Sequence, residues 1–214
     1  MVGGPCSGTS RRASVDRLGR VPDFHDLPTL TGEHVELRPL RPEDAAGVLA
    51  AADDDAVFAW LAVDRPTTLA AAQDLVDHYL GRTDLVMWAQ VDRASGELAG
   101  VTTYYAIDPA LRTLAIGHTW LGRRFWRTGI NTEAKLLLLT RAFEGLGCVR
   151  VVWHTDIHNE RSQAAIARLG AQREGVLRKH RVRRDGSWRD TVTYSMTDDE
   201  WPAARAALEA RLGR

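Results

Sequence analysis

The sequence predicts a single α/β domain in which a mixed, mostly antiparallel sheet is flanked by helices. Three observations predict this class. The chain has 214 residues, which is the length of one full domain. Strand and helix patterns follow one another in the order β-α-α-β-β-β-α-β-α-β-β-α. Two pairs of consecutive strands are joined by turns typical of antiparallel hairpins. Residues 113–155 instead form a β-α-β unit, whose two strands pair in parallel.

The first third of the domain is predicted to contain one strand and two helices. Apolar and charged residues alternate over residues 34–40, which is typical of a half-buried strand. An alanine-rich segment from Pro42 to Ala52 predicts a helix, because proline and the acids that follow it fit a first turn. A second helix is predicted over 68–80, ended by Gly81.

The central segment is predicted to contain three strands, a long helix and a buried strand. Residues 85–91 and 98–107 flank a short polar segment with a glycine, which indicates an antiparallel hairpin, and 113–121 is the next strand. A leucine stripe at helical spacing predicts a helix over 131–146. The nearly continuous apolar run at 149–155 is typical of a strand covered on both faces.

The C-terminal segment is predicted to add a helix, a hairpin and a last helix. The first helix runs over 159–169, and strands at 176–184 and 188–196 flank an Asp-Gly turn. The last helix covers about 199–212. We expect a disordered tail over residues 1–27, which carry four arginines without the apolar core of a secretion signal, then the domain over 28–200 and the C-terminal helix within 199–214.

Composition limits the function classes. Lysine plus arginine and aspartate plus glutamate number 28 each, so the formal net charge is zero, which argues against a dedicated nucleic-acid-binding protein. The densest apolar run, Leu136–Leu139, is too short to cross a membrane. Cys6 and Cys148 do not have the spacing of a disulfide framework or a zinc site, and we expect no metal. A cytoplasmic location is expected.

The segment 120–135 carries the strongest chemical signal, because a strand ends, an arginine-rich turn follows and a long helix begins. Unpaired N–H groups and the dipole at a helix start bind phosphates. Gly129 permits close approach of the backbone to an oxygen, and Arg123, Arg124 and Arg127 add charged forks suited to a pyrophosphate. A basic surface loop explains the same residues, since a single glycine is a weak signal.

Residues 125–134, Phe-Trp-Arg-Thr-Gly-Ile-Asn-Thr-Glu-Ala, resemble the acetyl-CoA pyrophosphate loop of the GCN5-related N-acetyltransferases, the GNAT superfamily. They are most similar to the branch that contains the ribosomal-protein N-terminal acetyltransferases of the RimJ and RimL type. A second motif at 158–178 and the segments at 188–190 and 194–196 agree with this. The resemblance covers about residues 30–200.

The resemblance implies acetyl-CoA as co-substrate and a wedge between the strands 113–121 and 149–155. Pantetheine is expected to bond the backbone of Trp120 and Leu121, Asn159 to bond the pantetheine arm, and Ser162 to stand near the sulfur. The residues expected at the pyrophosphate are Trp126, Arg127, Thr128, Gly129, Ile130 and Asn131. Asn159 is equally suited to be a helix N-cap, and Ser162 to be an ordinary first-turn residue.

The catalytic groups are less well defined by the sequence. Many relatives carry a carboxylate on the central strand where this chain has Ala115. His118 and Asp156 are the remaining candidates for the general base, although each is equally explained as a structural residue. Ser162, or a water that it holds, is our candidate for protonating the departing thiolate.

The acceptor is expected to be an amine. At pH 7 an α-amine of pKa ~7.7 is about one-sixth neutral, whereas a lysine amine of pKa ~10.4 is neutral in about one molecule in 2,500. A weak base therefore favours a peptide N-terminus or a small amine. The basic stretch 178–184 is either a solvated face or attracts an acidic substrate or a ribosomal surface. A non-catalytic acyl-CoA-binding module and transfer of a longer acyl group remain alternatives; a homodimer is compatible with the sequence.

Overall fold

The computed structural model describes residues 22–214. Within that range, eight strands and six helices are formed. The strands are β1 (Leu30–Thr31), β2 (Val35–Pro39), β3 (Val86–Asp92), β4 (Leu98–Asp108), β5 (Thr113–Leu121), β6 (Arg150–Asp156), β7 (Gln172–Val182) and β8 (Trp188–Thr197). The helices are α1 (Ala45–Ala51), α2 (Asp55–Phe58), α3 (Leu69–Leu80), α4 (Gly129–Thr140), α5 (Glu160–Ala167) and α6 (Trp201–Arg211).

All eight strands join one sheet in the order β1-β2-β3-β4-β5-β6-β8-β7. Every neighbouring pair is antiparallel except β5 and β6, which α4 connects by a crossover. The predicted class, a mixed and mostly antiparallel sheet flanked by helices, is confirmed.

The two faces of the sheet are covered differently. On one face, α4, α5 and α6 enclose the larger apolar core, which includes Leu138, Trp153 and Tyr194. On the other face, α1, α2 and α3 pack over β2 to β5 around Phe58 and Trp120. In the described part of the chain, that second core does not extend over β6, β8 and β7, so this part of the sheet has no helix above it. We call it the open face.

Two short elements escaped the sequence analysis. β1 has two residues and α2 has four, so neither is long enough to show a period. The acidic residue Asp54 caps α2 by accepting the N–H of Ala56 at 2.8 Å. The helix α4 begins at Gly129, two residues before the predicted start, and continues through a π turn over Arg141–Gly145.

One side chain of α4, that of Glu133, binds both the start of β2 and the segment after α6. Glu133 is fully buried and accepts backbone N–H groups of Glu33, His34 and Val35 at 2.6–2.9 Å. The guanidinium of Arg214 also bonds Glu133, so α4 anchors the C-terminal helix and the start of β2 together.

Residues 1–21 of the predicted tail lie outside the described residues. The end of the predicted tail is packed, because Phe24 is buried in the larger core and Leu27 contacts that core. Cys148 is also buried there, and burial raises the pKa of its thiol to about 12. Over residues 22–214 no helix has the length and apolar character required to cross a bilayer.

Candidate active site

A gap opens between β5 and β6 in the middle of the sheet. The two strands pair only over Thr113–Ala115 and Arg150–Val152, although β5 continues to Leu121 and β6 to Asp156. A bulge in β5 lies beside this gap: the register with β4 shifts between Val101 and Thr103, and His118 has φ 47°. Such bulges bend a strand, which directs β5 away from β6. The wedge implied by the resemblance is therefore present.

The backbone of β5 presents hydrogen-bonding groups to the gap at alternate residues. The carbonyl of Trp120 accepts Gln90 Nε2 at 3.3 Å, so it faces the interior of the sheet towards β4. Because successive peptide groups of a strand point in opposite directions, Thr119 and Leu121 face the gap. The peptide groups of Thr119 and the N–H of Leu121 are therefore free to meet a ligand in the gap, whereas the carbonyl of Trp120 is turned away from it.

Trp126 closes one end of this gap. Its indole N–H donates to the carbonyl of Leu121 at 2.8 Å, and the guanidinium carbon of Arg161 lies 3.7 Å from the centroid of its ring. Arg161 belongs to α5, on the far side of the gap. This cation–π contact therefore joins the two walls, and Trp126 is placed to line the gap as well as to fix its width.

The loop before α4 presents a set of unpaired N–H groups, which we call the N–H cradle (residues 127–131). Of these five N–H groups, only that of Ile130 has a partner among the described residues. It donates to Thr128 Oγ1 at a long 3.4 Å. Arg127 has φ 63°, a left-handed conformation that turns the chain into the helix. Thr128 is the N-cap residue of α4. Free N–H groups at the positive end of a helix bind phosphate oxygens.

Gly129 is required by the side chain that packs against it. Its φ is not positive, and a Cβ there would lie 2.6 Å from Cδ2 of His34. Glycine is needed at this position because the imidazole of His34 occupies the space of a side chain. The residue with the unusual backbone is Arg127.

Two of the three arginines predicted to contact a pyrophosphate already have carboxylate partners. Arg123 pairs with Asp54 at 2.7 Å and Arg124 with Glu97 at 3.1 Å. Asp53 in turn accepts the backbone N–H of Arg123 at 2.7 Å. The acidic run at 53–55 therefore neutralises the loop, which leaves the N–H cradle and Arg127 to hold an anion.

Lys135 lies beneath the gap, on the side of α4 that faces the sheet. It is buried, and its Nζ donates to Thr119 Oγ1 at 2.8 Å and to Thr102 Oγ1 at 3.1 Å. No carboxylate within the described chain pairs with it. Burial lowers the pKa of Lys135 to about 7. The lysine therefore fixes the bulged part of β5, and sequence reasoning missed it because its place in the leucine-rich helix gives no separate signal.

Asn159 and Ser162 lie together at the start of α5. The Asn159 side-chain oxygen accepts the backbone N–H of Ser162 at 3.1 Å, so Asn159 is the N-cap of α5. The Ser162 hydroxyl is half-buried and has no partner among the described residues. Both residues follow β6 directly, on the side of the gap opposite Trp120. The hydroxyl is thus available to a ligand, while the Asn159 amide retains its N–H donors.

Tyr105 and His154 bridge the gap on its other side, next to the open face. The Tyr105 hydroxyl lies 2.9 Å from His154 Nδ1. The ring of Tyr105 covers Gly117, where a Cβ would come within 2.6 Å of Cε1. A residue of β4 therefore reaches β6 across β5. Burial raises the pKa of Tyr105 to about 12, whereas burial and the charge of His180 lower the pKa of His154, which keeps the imidazole neutral.

Sequence reasoning did not select this pair. Residues 49 apart meet here because the register places Tyr105 opposite Ala115 and Ala115 opposite Val152. The small residues Ala115 and Gly117 leave room for the tyrosine ring above β5.

His118 lies near this pair but points into solvent. Its ring centroid is 5.3 Å from that of Tyr105, in an edge-to-face arrangement. Partial desolvation lowers the pKa of His118, and the charges of Arg82 and Arg181 lower it further. His118 is thus neutral near pH 7 and one aromatic ring away from His154.

Asp156 is engaged in an ion pair. Its carboxylate is buried and accepts Arg183 Nε at 2.6 Å, Arg183 Nη2 at 3.1 Å and the backbone N–H of His158 at 2.9 Å. Burial alone raises its pKa, but these partners outweigh burial and the net pKa is lowered. A carboxylate with a low pKa and three donors is a poor proton acceptor, and Asp156 instead holds the β7–β8 hairpin against β6.

Comparison with known proteins places this geometry in a class. The acetyltransferase (GNAT) domain family matches residues 34–172. A GCN5-related N-acetyltransferase from Brucella melitensis is 31% identical and superimposes with a TM-score of 0.84 over 90% of this chain and 89% of that chain. The uncharacterised N-acetyltransferase YoaA of Bacillus subtilis is 24% identical over 79% of this chain and 97% of its own length.

A third relative was solved with a ligand. Mycobacterium smegmatis RimJ, in complex with CoA-disulfide, is 26% identical, with a TM-score of 0.69 over 89% of this chain and 96% of that chain. The splayed sheet, the helix start beside it and these matches define an acetyltransferase. The chain belongs to the GNAT acetyltransferase family, and the resemblance to its RimJ and RimL branch is confirmed at modest identity.

Proposed function

We propose that this acetyltransferase moves the acetyl group of acetyl-CoA to a primary amine, either a peptide N-terminus or a small amine. The single observation that carries the proposal is the gap between β5 and β6, whose backbone groups at Thr119 and Leu121 lie beside the N–H cradle. A ligand with a diphosphate at one end and an extended amide-containing arm fits these two features in series. The relative solved with CoA-disulfide supports this donor.

The donor is assigned to residues as follows. The N–H cradle, Arg127 to Asn131, holds the diphosphate, with Trp126 beside it. The peptide groups of Thr119 and the N–H of Leu121 bond the pantetheine arm as a strand bonds its neighbour. Asn159 contributes an amide N–H and Ser162 a hydroxyl at the other wall.

The reaction we propose is direct transfer. The ammonium proton of the acceptor first passes to the imidazole of His154, either directly or through the Tyr105 hydroxyl. The lone pair of the neutral amine then attacks the thioester carbonyl, the new C–N bond forms, and the C–S bond breaks. The proton that the nitrogen loses in this step passes to the departing thiolate, to which Ser162 donates a hydrogen bond, so that a thiol and an amide are released. His118 is the second candidate for the base, and we assign Asp156 to structure.

The test compares two substitutions at the N-cap of α4. Both Thr128→Asp and Thr128→Asn keep an N-cap residue, so both variants are expected to fold. The aspartate places a negative charge in the N–H cradle and is expected to weaken acetyl-CoA binding at least about tenfold, or about 1.4 kcal/mol, in calorimetry. The asparagine variant is expected to stay within about threefold of the parent.

Two further measurements complete the test. Acetyl-pantetheine, which lacks the diphosphate, is expected to bind Thr128→Asp and the parent equally. Thiol release on adding an amine library then separates an enzyme from a module that binds acyl-CoA without turnover. Equal acetyl-CoA affinity in both Thr128 variants contradicts the assignment of the N–H cradle.

A further inference from the structure

The open face carries positive charge that the protein itself does not neutralise. Arg181 and Arg189 are opposite each other in the register of β7 and β8. Like charges that face each other across two strands repel and destabilise the pair. Over residues 22–214, Arg181 has no ion-pair partner, and Arg189 comes no closer than 3.9 Å to Asp156.

The nearby carboxylates are already in use. Asp156 is bound by Arg183, and Asp190 accepts the backbone N–H of Lys179 at 2.7 Å. Glu174 pairs with Arg150 at 2.5 Å. Within the described residues, Arg181 therefore has no ion pair, and Arg189 shares Asp156 with Arg183 at the longer distance of 3.9 Å.

A row of polar atoms along β8 is buried without partners. These atoms are Arg189 Nε, Thr191 Oγ1 and Thr193 Oγ1. They occupy alternate positions of one strand, so all three belong to the open face. Thr191 is fully buried, and an unpartnered buried hydroxyl is costly. The open face therefore holds polar groups that the described residues leave without partners.

The row leads towards the bridge between Tyr105 and His154. Thr193 is the register partner of His154, and Thr191 is that of Asp156. The three histidines His118, His154 and His180 have lowered pKa values, and Arg181 is among the causes in each case, after burial. The potential of the arginines thus reaches the proposed base.

The segment that follows α2 closes this region on one side. Arg184 bonds the carbonyl of Phe58 at 3.2 Å, the carbonyl of Val63 at 3.3 Å and the carboxylate of Asp64 at 2.5 Å. The hairpin is therefore tied across to the helices that cover the other half of the sheet. We call the part of the open face that this tie borders the cleft; the pair of Tyr105 and His154 lies next to it.

We propose that this cleft is an anion subsite, in which Arg181 and Arg189 bind a carboxylate or phosphate carried by the acceptor close to its reactive amine. The inference rests on the proposed function, because it names the class of amine that this transferase acetylates. The anion of the acceptor supplies the missing counter-charge.

The experiment uses pairs of acceptors that differ in one charge. β-Alanine is compared with β-alaninamide, and the amidated peptide Ala-Asp-Ala with Ala-Asn-Ala; aminoethylphosphonate distinguishes a phosphate-type anion from a carboxylate. For each, KM is measured by thiol release, and binding in the presence of CoA is measured by calorimetry. We expect the anionic member to be preferred at least about tenfold.

Three variants locate the effect. Arg181→Gln and Arg189→Gln are expected to abolish the preference for the anionic member, with acetyl-CoA affinity unchanged. Arg181 is exposed, so Arg181→Gln is expected to fold even if Arg189→Gln does not. Arg178→Gln removes the same charge from an exposed neighbouring position of β7 and is expected to change nothing.

The outcomes separate the two proposals. Equal binding of acid and amide, binding of neither, or equal losses in Arg178→Gln and Arg181→Gln overturn the anion subsite. Anion-selective binding without thiol release from any amine overturns the proposed function but leaves the subsite in place. A preference that survives both Arg181→Gln and Arg189→Gln also overturns the subsite.

Discussion

Two cationic regions flank the gap between β5 and β6, and they are built differently. At the start of α4, Arg123 and Arg124 are paired with acidic side chains, and the positive character comes from backbone N–H groups. On the open face, Arg181 has no ion-pair partner among the described residues and Arg189 lies 3.9 Å from a carboxylate that Arg183 already binds, so the positive character comes from side chains. We expect the backbone site to hold one fixed group, the diphosphate, and the guanidinium groups to adapt to the acceptor.

The ion pair of Asp156 gives the largest expected effect. Asp156→Asn leaves Arg183 without its buried partner and is expected to lower the free energy of unfolding by about 3 kcal/mol, measured with urea. Because the folded-state pKa of Asp156 is depressed, its contribution is present above the unfolded pKa and is lost as pH falls through the folded value. The parent and variant are therefore expected to converge in stability at low pH. Loss of kcat with unchanged stability contradicts this assignment.

His154 gives the next effect. His154→Ala is expected to lower kcat/KM about a hundredfold, with acetyl-CoA affinity unchanged. Since burial and His180 lower the pKa of His154, activity in the parent is expected to fall only when pH drops below the ordinary histidine value of 6.5. Tyr105→Phe is expected to shift the pH at which this fall in activity occurs.

The matched control for the base is His158→Ala, an exposed histidine in the turn after β6. It is expected to leave both rate and pH profile unchanged. If the acid limb persists in His154→Ala and disappears in His118→Ala, the base is His118.

Lys135 tests the donor side of the gap. The pKa of Lys135 in the folded protein, about 7, lies below the ordinary lysine value of 10.5, so the unfolded chain binds more protons between these values and stability rises with pH there. Lys135→Met is expected to stabilise the protein at pH 7 by about 1 kcal/mol or more, and this gain is expected to shrink towards pH 10. A Lys135→Met variant that is less stable than the parent at every pH contradicts a buried charge without a counter-charge at Lys135.

The same variant removes the hydrogen bond from Lys135 to Thr119, so weaker acetyl-CoA binding is also expected.

Ser162 gives the smallest effect. Ser162→Ala is expected to lower kcat by less than about tenfold, because a single hydrogen bond to the thiolate is removed. The Asn159 cap remains, so the melting temperature is expected to stay the same. A melting temperature that falls with no change in kcat assigns the hydroxyl to structure alone.

The donor half of the site could be predicted from the sequence because it lies on one contiguous segment. A strand end, a turn and a helix start share residues 120–135, and Asn159 and Ser162 form one helix start. The sequence did not indicate those features of the segment that tertiary contacts decide. His34 explains Gly129, Gln90 turns the Trp120 carbonyl inward, and the acids at 53–55 occupy Arg123.

The acceptor half could not be predicted, because it depends on strand register. Tyr105 meets His154 only when β4, β5 and β6 align, and the orphaned Thr191 and Thr193 hydroxyls are ordinary strand residues in the sequence. The basic stretch at 178–184 was visible, but its partners were not. Arg183 and Arg184 are structural, whereas Arg181 faces the cleft.

The most direct measurement is the crystal structure of the complex with CoA. We expect diphosphate oxygens about 3 Å from the backbone nitrogens of residues 127–131, the pantetheine arm alongside Thr119 and Leu121, and the sulfur between β5 and β6. A diphosphate bound by Arg181 and Arg189 instead, or strands β5 and β6 closed by direct pairing beyond Ala115, contradicts the account.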